Sequence, residues 1–435
     1  MPERRQDMKS LAPGSTSHPA LTMLPATKPL LLTLAATLGL TGAALAGEPT
    51  NSAARAVNRF AVELHRQVAS SAPGQNLLLS PYSIQSALAM TYAGASGNTR
   101  AEMARVLHFA GEEDPLHRGF QTINHSLRSA AAASEGAFSF NVANRLFGQQ
   151  GFTFRTPFLN TVSNFYGAPL EALDFAQSVA SARHINQWVE HQTQDRIRDL
   201  IDPSLLNLDT RLVLVNALHL KAAWAKPFTT GLTKTRPFHL GNDLTADVRT
   251  LHSVETHGFK EFDGFRAVSL AYRSGDLQLV LFVPDTTNGL AALEGKLSAE
   301  TLDACRSLPR KELDLYLPLL KMAPPTLSLS RPLQAMGLKS AFDLPQGSAH
   351  FDRMADTARE RLKISEVVHR TFLELDEKGT EAAAATAVIM MRASAVPLKK
   401  PTPVVVRVDR PFAFAIQHRE SGACLFLGRV TDPRP

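Results

Sequence analysis

The chain has 435 residues, 44% of them hydrophobic and 20% charged, the balance of a folded globular protein and not of a disordered or fibrous one. Its 46 Lys and Arg exceed its 40 Asp and Glu, for a formal charge of +6, but the signs are mixed and no long basic run marks a nucleic-acid surface. Two cysteines, Cys305 and Cys424, exclude a disulfide framework; a single bridge between them stays open, and Cys424 in its apolar run reads as a small buried hydrophobe.

The N-terminus has the make-up of an export leader. Lys28 precedes the apolar run Leu30–Leu40, and Ala44-Leu45-Ala46 before Gly47 has the small-x-small form of a cleavage site. The run is too short for a membrane span. Met23–Ala46 alone has the proportions of a signal peptide, so Met23 is the expected start; an uncleaved anchor or a tail is the competing reading. Setting residues 1–46 aside leaves 47–435 for the fold, with an address outside the cytoplasm, secreted or periplasmic.

Ser52–Ser70 has helical spacing, with Ala56, Phe60, Leu64 and Val68 on one stripe. Asn76–Ser80 reads as a short buried strand. Ser80 as N-cap and Pro81 at the first helical position open a helix that stops at Gly94. Thr99 opens a short helix carrying Met103, Val106 and Leu107. Phe138–Phe147 alternates as a strand does. Thr156-Pro157 opens a helix closed by Gly167, and Ser181–Leu200 is amphipathic, with Ile185, Trp188, Val189 and Ile197 inward. Thr210–Leu220 is almost continuously apolar, as expected of a strand covered on both faces. Residues 233–283 hold at least four strands, with turn signals at Asp263-Gly264 and Ser274-Gly275-Asp276. Leu290–Leu308 reads as helix, Glu312–Pro318 and Leu362–Ile364 as strands, and Pro332–Met336 as a short helix ending at Gly337. Arg370–Leu375, Val404–Val408 and Phe412–Val430 are strand-rich. Helices lead, strands follow, and the two do not alternate, which predicts an α+β fold around a large sheet.

Catalytic motifs are weak. Gly94-Ala95-Ser96-Gly97 lacks the spacing of a nucleophile elbow. His239, His252 and His257 lack ligand spacing, and His184 and His191 read as a solvated pair, so no metal is expected. Ser80, Ser83, Asn216 and His369 are polar residues set in apolar segments, which demands hydrogen-bond partners. A Ser/His hydrolase is one reading of them; a structural cluster is the other, favoured because both serines are used at a helix start and no oxyanion glycines accompany them.

With these segments in place, the chain resembles the serpin family across residues 52–433. Asn76–Ile84, Leu214-Val215-Asn216-Ala217-Leu218 with Lys221 and Trp224, Asp409–Phe414 and Phe426–Val430 carry the likeness, and His369 stands ten residues before Gly379. Glu377-Lys378-Gly379-Thr380-Glu381, followed by Ala382, Ala383, Ala384, Ala385 and Thr386, is similar to the hinge of inhibitory members. The resemblance implies one domain over 47–435, a large central sheet with two further sheets and about eight to nine helices, and an exposed reactive loop. It also implies a "shutter" of Ser80, Ser83, Asn216 and His369 and a "breach" at Trp224. The implied activity is that of a monomeric serine-protease inhibitor, not an enzyme, without cofactor, metal, nucleic acid or a membrane span in its mature form. A protease cleaves the loop and is trapped as the loop enters the main sheet. Non-inhibitory members, and inhibitors of papain-like cysteine proteases, are the alternatives. Ala222-Ala223 replaces a glycine-containing step common in the family, and Ser394–Pro411 is long and proline-rich.

The stretch suits such an insertion. By propensity its alanines favour helix. In strand phase, Thr380, Ala382, Ala384, Thr386, Val388 and Met390 share one face, none is charged, and Glu381 falls on the other. Counting the family's commonest spacing from Gly379 places the reactive bond at Ala393–Ser394, which suits elastase-like or subtilisin-like proteases; Arg392–Ala393, one residue earlier, would suit trypsin-like ones.

Overall fold

Helical spacing in the first half of the chain becomes a layer of helices over two sheets. The computed structural model describes residues 52–241, 244–356, 361–380 and 402–434, with all side chains in those ranges except 142–144, 216 and 217. The leader, 1–46, lies outside them.

Helix α1 (Ser52–Ser71) buries Ala56, Phe60, Leu64 and Val68 on the expected stripe. Strand β1 (Leu77–Leu79) is fully buried. Helix α2 (Pro81–Gly94) starts at its proline, whose fixed φ suits a first turn. Ser80 holds the N-cap position but does not cap; its Oγ donates to the Leu425 carbonyl at 2.8 Å. Helix α3 (Gly97–Val106) begins two residues before Thr99. Helix α4 (Glu113–Ala133) has no counterpart in the sequence reading, although Leu116, Phe120, Ile123 and Leu127 form a buried stripe. Strand β2 (Phe138–Gln149), helix α5 (Thr156–Tyr166) and strand β3 (Leu170–Leu173) follow, with Gly167 ending α5 in the left-handed region at φ 60°. Helix α6 (Ser178–Gln192) stops eight residues short of the expected Leu200, because Gln194 and Asp195 take positive φ of 51° and 60°. Ile197 is buried all the same, from the connector, and Trp188 is half-buried.

Then come strands β4 (Leu212–Ala223), β5 (Lys234–Gly241), β6 (Leu244–Phe262), β7 (Phe265–Ala271) and β8 (Leu277–Pro284). Helices α7 (Leu290–Lys296) and α8 (Ala299–Ala304) replace the single helix expected over Leu290–Leu308. Ser298 interrupts it with an extended backbone and a side chain that accepts from the Thr301 amide as a new N-cap. Strands β9 (Arg310–Pro318), β10 (Leu320–Met322) and β11 (Leu327–Ser328), helix α9 (Ser330–Ala335), and strands β12 (Val368–His369), β13 (Leu373–Leu375), β14 (Gly379–Thr380), β15 (Val404–Arg407), β16 (Phe412–His418) and β17 (Cys424–Val430) complete the order. Leu362–Ile364, expected as a strand, forms none.

One sheet runs β1-β17-β16-β8-β7-β6-β9-β15, with β5 paired to β6; a six-stranded sheet runs β10-β13-β14-β4-β2-β3; β11 and β12 form a small third. Pairs β9–β15 and β2–β3 are parallel, so both large sheets are mixed. The fold is α+β, with nine α-helices among the described residues. A main core spans α1, α2 and the nine-stranded sheet. A second core of Phe147, Phe175, Ile185, Val189, Ile197 and Val215 seats α6 on the six-stranded sheet.

Candidate functional site: an open seam in the six-stranded sheet

Strand β4 pairs with β2 along its length, from Ala222 opposite Phe138 to Leu212 opposite Gly148. Its other edge is different. There β14 covers only Ala223 and Ala222, and β13 meets β14 at a single pair, Leu375 with Thr380. Among the described residues nothing pairs that edge of β4 from Lys221 down to Leu212. The seam opens below into a cavity of about 790 Å³, with Leu212, Val213 and Leu214 on one wall and Val367, Val368 and His369 on another. This explains why the lower half of β4 is half-exposed despite its apolar sequence. It also explains Leu362–Ile364, which line the cavity without strand partners. An open ladder edge beside an apolar space is a template for one more strand.

The top of the seam is closed by a turn. The Asp376 amide donates to the Gly379 carbonyl at 2.9 Å, and its Oδ1 accepts from the amides of Lys378 (2.7 Å) and Gly379 (3.0 Å). Gly379 has φ 154°, and a Cβ there would stand 2.1 Å from the Ala222 carbonyl oxygen. Close approach to β4 therefore requires glycine. Thr380 is fully buried, its hydroxyl 2.7 Å from that of Tyr272. Burial raises the Tyr272 phenol above its ordinary range, so it stays neutral there.

Trp224 binds this turn from the side. Its Nε1 donates to the Asp376 carbonyl at 2.9 Å and its amide to the Lys378 carbonyl at 2.8 Å. Its ring stacks on Tyr272, 4.7 Å between centroids at 10°. The Phe228 amide donates to the Glu377 carbonyl at 2.8 Å, and the Glu377 carboxylate accepts from Thr233 (2.9 Å) and Arg249 (3.3 Å). Tyr272, Thr233, Arg249 and Asp376 are absent from the sequence reading. Only the Asp376 turn had a local signal, an aspartate three residues before a glycine.

The foot of the seam holds part of the predicted polar set. The Ser80 amide donates to His369 Nε2 at 3.1 Å, and the Thr371 hydroxyl, also unforeseen, donates to the Leu78 carbonyl at 3.0 Å. Ser83 is buried and lines the cavity with His369. The Asn216 side chain lies outside the described residues, as do Glu381, Ala382, Ala383, Ala384, Ala385 and Thr386 of the hinge and Arg392, Ala393 and Ser394. A hydrolase would need Ser80 Oγ to donate to the imidazole; here it donates to a main-chain carbonyl, and the histidine accepts from a backbone amide.

Burial alone holds the His369 pKa down at about 4, against an ordinary 6.5. The folded pKa lies below the unfolded one, so the unfolded chain takes up the proton first as pH falls. Stability from the neutral ring is full above about pH 6.5 and is lost progressively toward pH 4, up to about 3 kcal/mol. Buried His257, also at about 4, and His418 shift in the same direction. Urea midpoints measured from pH 7 to 4 should therefore fall, and His369→Asn should remove about one proton from the slope. An identical slope in that variant would show that His369 does not contribute.

Among the described residues no group of three His, Cys, Asp or Glu is placed to hold a metal, and no helix is long and apolar enough to cross a membrane. Cys305 and Cys424 are both free and buried, and burial pushes the Cys305 thiol up to about 12.

Residues 55–433 match the family model described as Serpin (serine protease inhibitor). The leukocyte elastase inhibitor of Sus scrofa is 35% identical over 386 residues, covering 86% of this chain and 98% of that protein. A serpin of the insect Tenebrio molitor superposes with TM-score 0.76 at 29% identity, over 89% of this chain and 100% of that one. A loop-inserted, cleaved ovalbumin mutant gives 0.76 at 26% identity, over 88% and 100%. The seam-bearing sheet, the expected segments in order and these matches carry one conclusion: the chain belongs to the serpin family.

Proposed function

We propose that the protein inhibits serine proteases by suicide trapping, with the loop after Thr380 entering the seam as a new strand once it is cut. The carrying observation is the seam itself, without a strand partner among the described residues from Lys221 to Leu212 and already seeded by β14. Continuing the register, in which Thr380 faces Ala222 and Gly379 faces Ala223, sets Thr386 opposite Asn216, Val388 opposite Leu214 and Met390 opposite Leu212. The last two then reach the cavity. Thr380 points inward, so Ala382, Ala384, Thr386, Val388 and Met390 share its phase, and no charge enters the core.

The target class follows from the bond that is cut. Ala393–Ser394 presents a small residue and fits elastase-like or subtilisin-like proteases, in keeping with the elastase inhibitor named among the relatives; Arg392–Ala393 would fit trypsin-like ones. Incubation with proteases of these three types should give a covalent complex that survives detergent, with a released C-terminal peptide starting at Ser394. A peptide starting at Ala393 reassigns the bond. Cleavage without any complex, against these proteases and papain, would replace the proposal with a non-inhibitory role. Export belongs to the same proposal, on the strength of Leu30–Leu40 and Ala44-Leu45-Ala46. The secreted product should begin at Gly47, and a chain retained with its leader would overturn that part.

A further inference from the structure

The cavity below the seam reaches the centre of the molecule. Its inner wall is one stripe of α2, Ile84, Ala87, Leu88 and Thr91, at the i, i+3, i+4, i+7 spacing of a helix face. Every residue of α2 is buried except Ala87. Space therefore remains over the smallest side chain of the stripe, inside the fold. Phe342 and Met354 add apolar surface, and the Thr91 hydroxyl is turned back to the Ala87 carbonyl at 3.2 Å. At about 790 Å³ the space falls within the roughly 300–1,000 Å³ of small-molecule sites, and like them it is lined mostly by apolar side chains.

The outer wall carries charge. Segment 361–363 alternates, with Leu362 buried between exposed Arg361 and Lys363, and all three line the cavity. An N–H of the Arg361 guanidinium donates to the Gly347 carbonyl at 3.0 Å, which holds the group at the rim. Among the described residues neither cation has a carboxylate within ion-pair distance. Three carboxylates share the lining. Asp343, which feels both cations at longer range, accepts from the amides of Gly347 (2.7 Å) and Ala349 (3.1 Å). Glu366 accepts from the hydroxyls of Ser328 and Ser330. Asp209 is exposed in the turn before β4.

We infer that this cavity is a binding site for a long-chain carboxylic acid, with its carboxylate on Arg361 and Lys363 and its tail along the α2 stripe. Charge and shape argue together. A guanidinium tied down on one side still offers N–H groups to a carboxylate, and the ammonium two residues on completes the clamp. A neutral apolar molecule leaves both cations unanswered, and a short acid leaves the stripe uncovered. Tail and inserted loop exclude each other, because Val388 and Met390 enter the same space; only this competition rests on the inhibitory reading above.

The test is calorimetric titration of the mature full-length chain with decanoate, laurate and myristate, each kept below its micelle concentration. One molecule should bind per chain, and each added pair of methylenes should tighten binding about fifteenfold while the tail still lies within the cavity. Arg361→Gln/Lys363→Gln, with its melting temperature as a check of the fold, should bind laurate about tenfold more weakly and 1-dodecanol as the wild type does. Chain nicked in the reactive loop should not bind laurate. No saturable binding, equal binding of laurate by the variant, or equal losses of laurate and dodecanol overturn the site. So does binding of an acetylated peptide of residues 384–391 without any binding of laurate, which marks the cavity as a strand slot alone. Laurate binding that survives nicking overturns it too if nicking has raised the melting temperature. If the melting temperature has not moved, it is the insertion reading that fails, and the site stands.

Discussion

Thr380→Arg should turn the inhibitor into a substrate. Covalent complex should fall by at least about a hundredfold while the loop is still cut and the fold holds. Thr380 is fully buried, its hydroxyl against that of Tyr272 and its backbone paired to both Leu375 and Ala222. A guanidinium there would replace a hydroxyl held against the Tyr272 phenol inside the sheet, and burying a charge at such a place costs several kcal/mol. About 3 kcal/mol against insertion already shifts the partition between trapping and release by about a hundredfold. The fold survives because β14 is two residues long and can leave the seam without disturbing either core. Gel analysis of the complex, with a melting curve as control, decides the matter. Undiminished trapping by a folded variant would sink the account of the seam.

Cutting the reactive loop of the wild type should raise its melting temperature sharply. The edge of β4 from Lys221 to Leu212, against which no described strand pairs, offers some ten ladder positions to the inserting strand. At about 1 kcal/mol per bond they contribute on the order of 10 kcal/mol, which the ordering of the loop at about 1–2 kcal/mol per residue offsets, so the rise comes from burying Val388 and Met390 and from closing the sheet. Calorimetry before and after nicking measures the shift directly. The nicked Thr380→Arg variant is the internal control and should stay near the uncut value. If nicking left the wild-type curve in place, the loop would not be entering the sheet.

How much of this was legible depended on the range of the interactions. Helices α2 and α5 carry their start and stop signals locally, in Pro81, Thr156-Pro157 and Gly167, and the fold has them where the sequence puts them. The phase of the hinge is local too. Inward Thr380 is what alternation demands, and the rest of the stretch lies outside the described residues. Helix α4 escaped because its stripe is interleaved with His117, Gly119 and His125 and trails off into alanines. The break at Ser298 was missed because one N-cap outweighs a run of good helix formers. The seam could not be read at all. It is a relation between Leu212–Lys221 and a segment more than 140 residues later, and its Tyr272 and Thr233 contacts span 108 and 144 residues. Ser80 is the instructive middle case. Its position said N-cap, while its hydroxyl is claimed by Leu425, 345 residues away.

Gly379 sets a limit of another kind. Because a Cβ there would stand 2.1 Å from the Ala222 carbonyl, the chain enters the seam at a point only the smallest residue can pass, and the ladder starts from that end. On the proposed mechanism, β14 is the first rung of a more stable, loop-inserted form. If insertion works as proposed, the working life of the intact protein is set by the height of a barrier and not by the depth of a well, and a stock of it should run down with time even where there is nothing to inhibit.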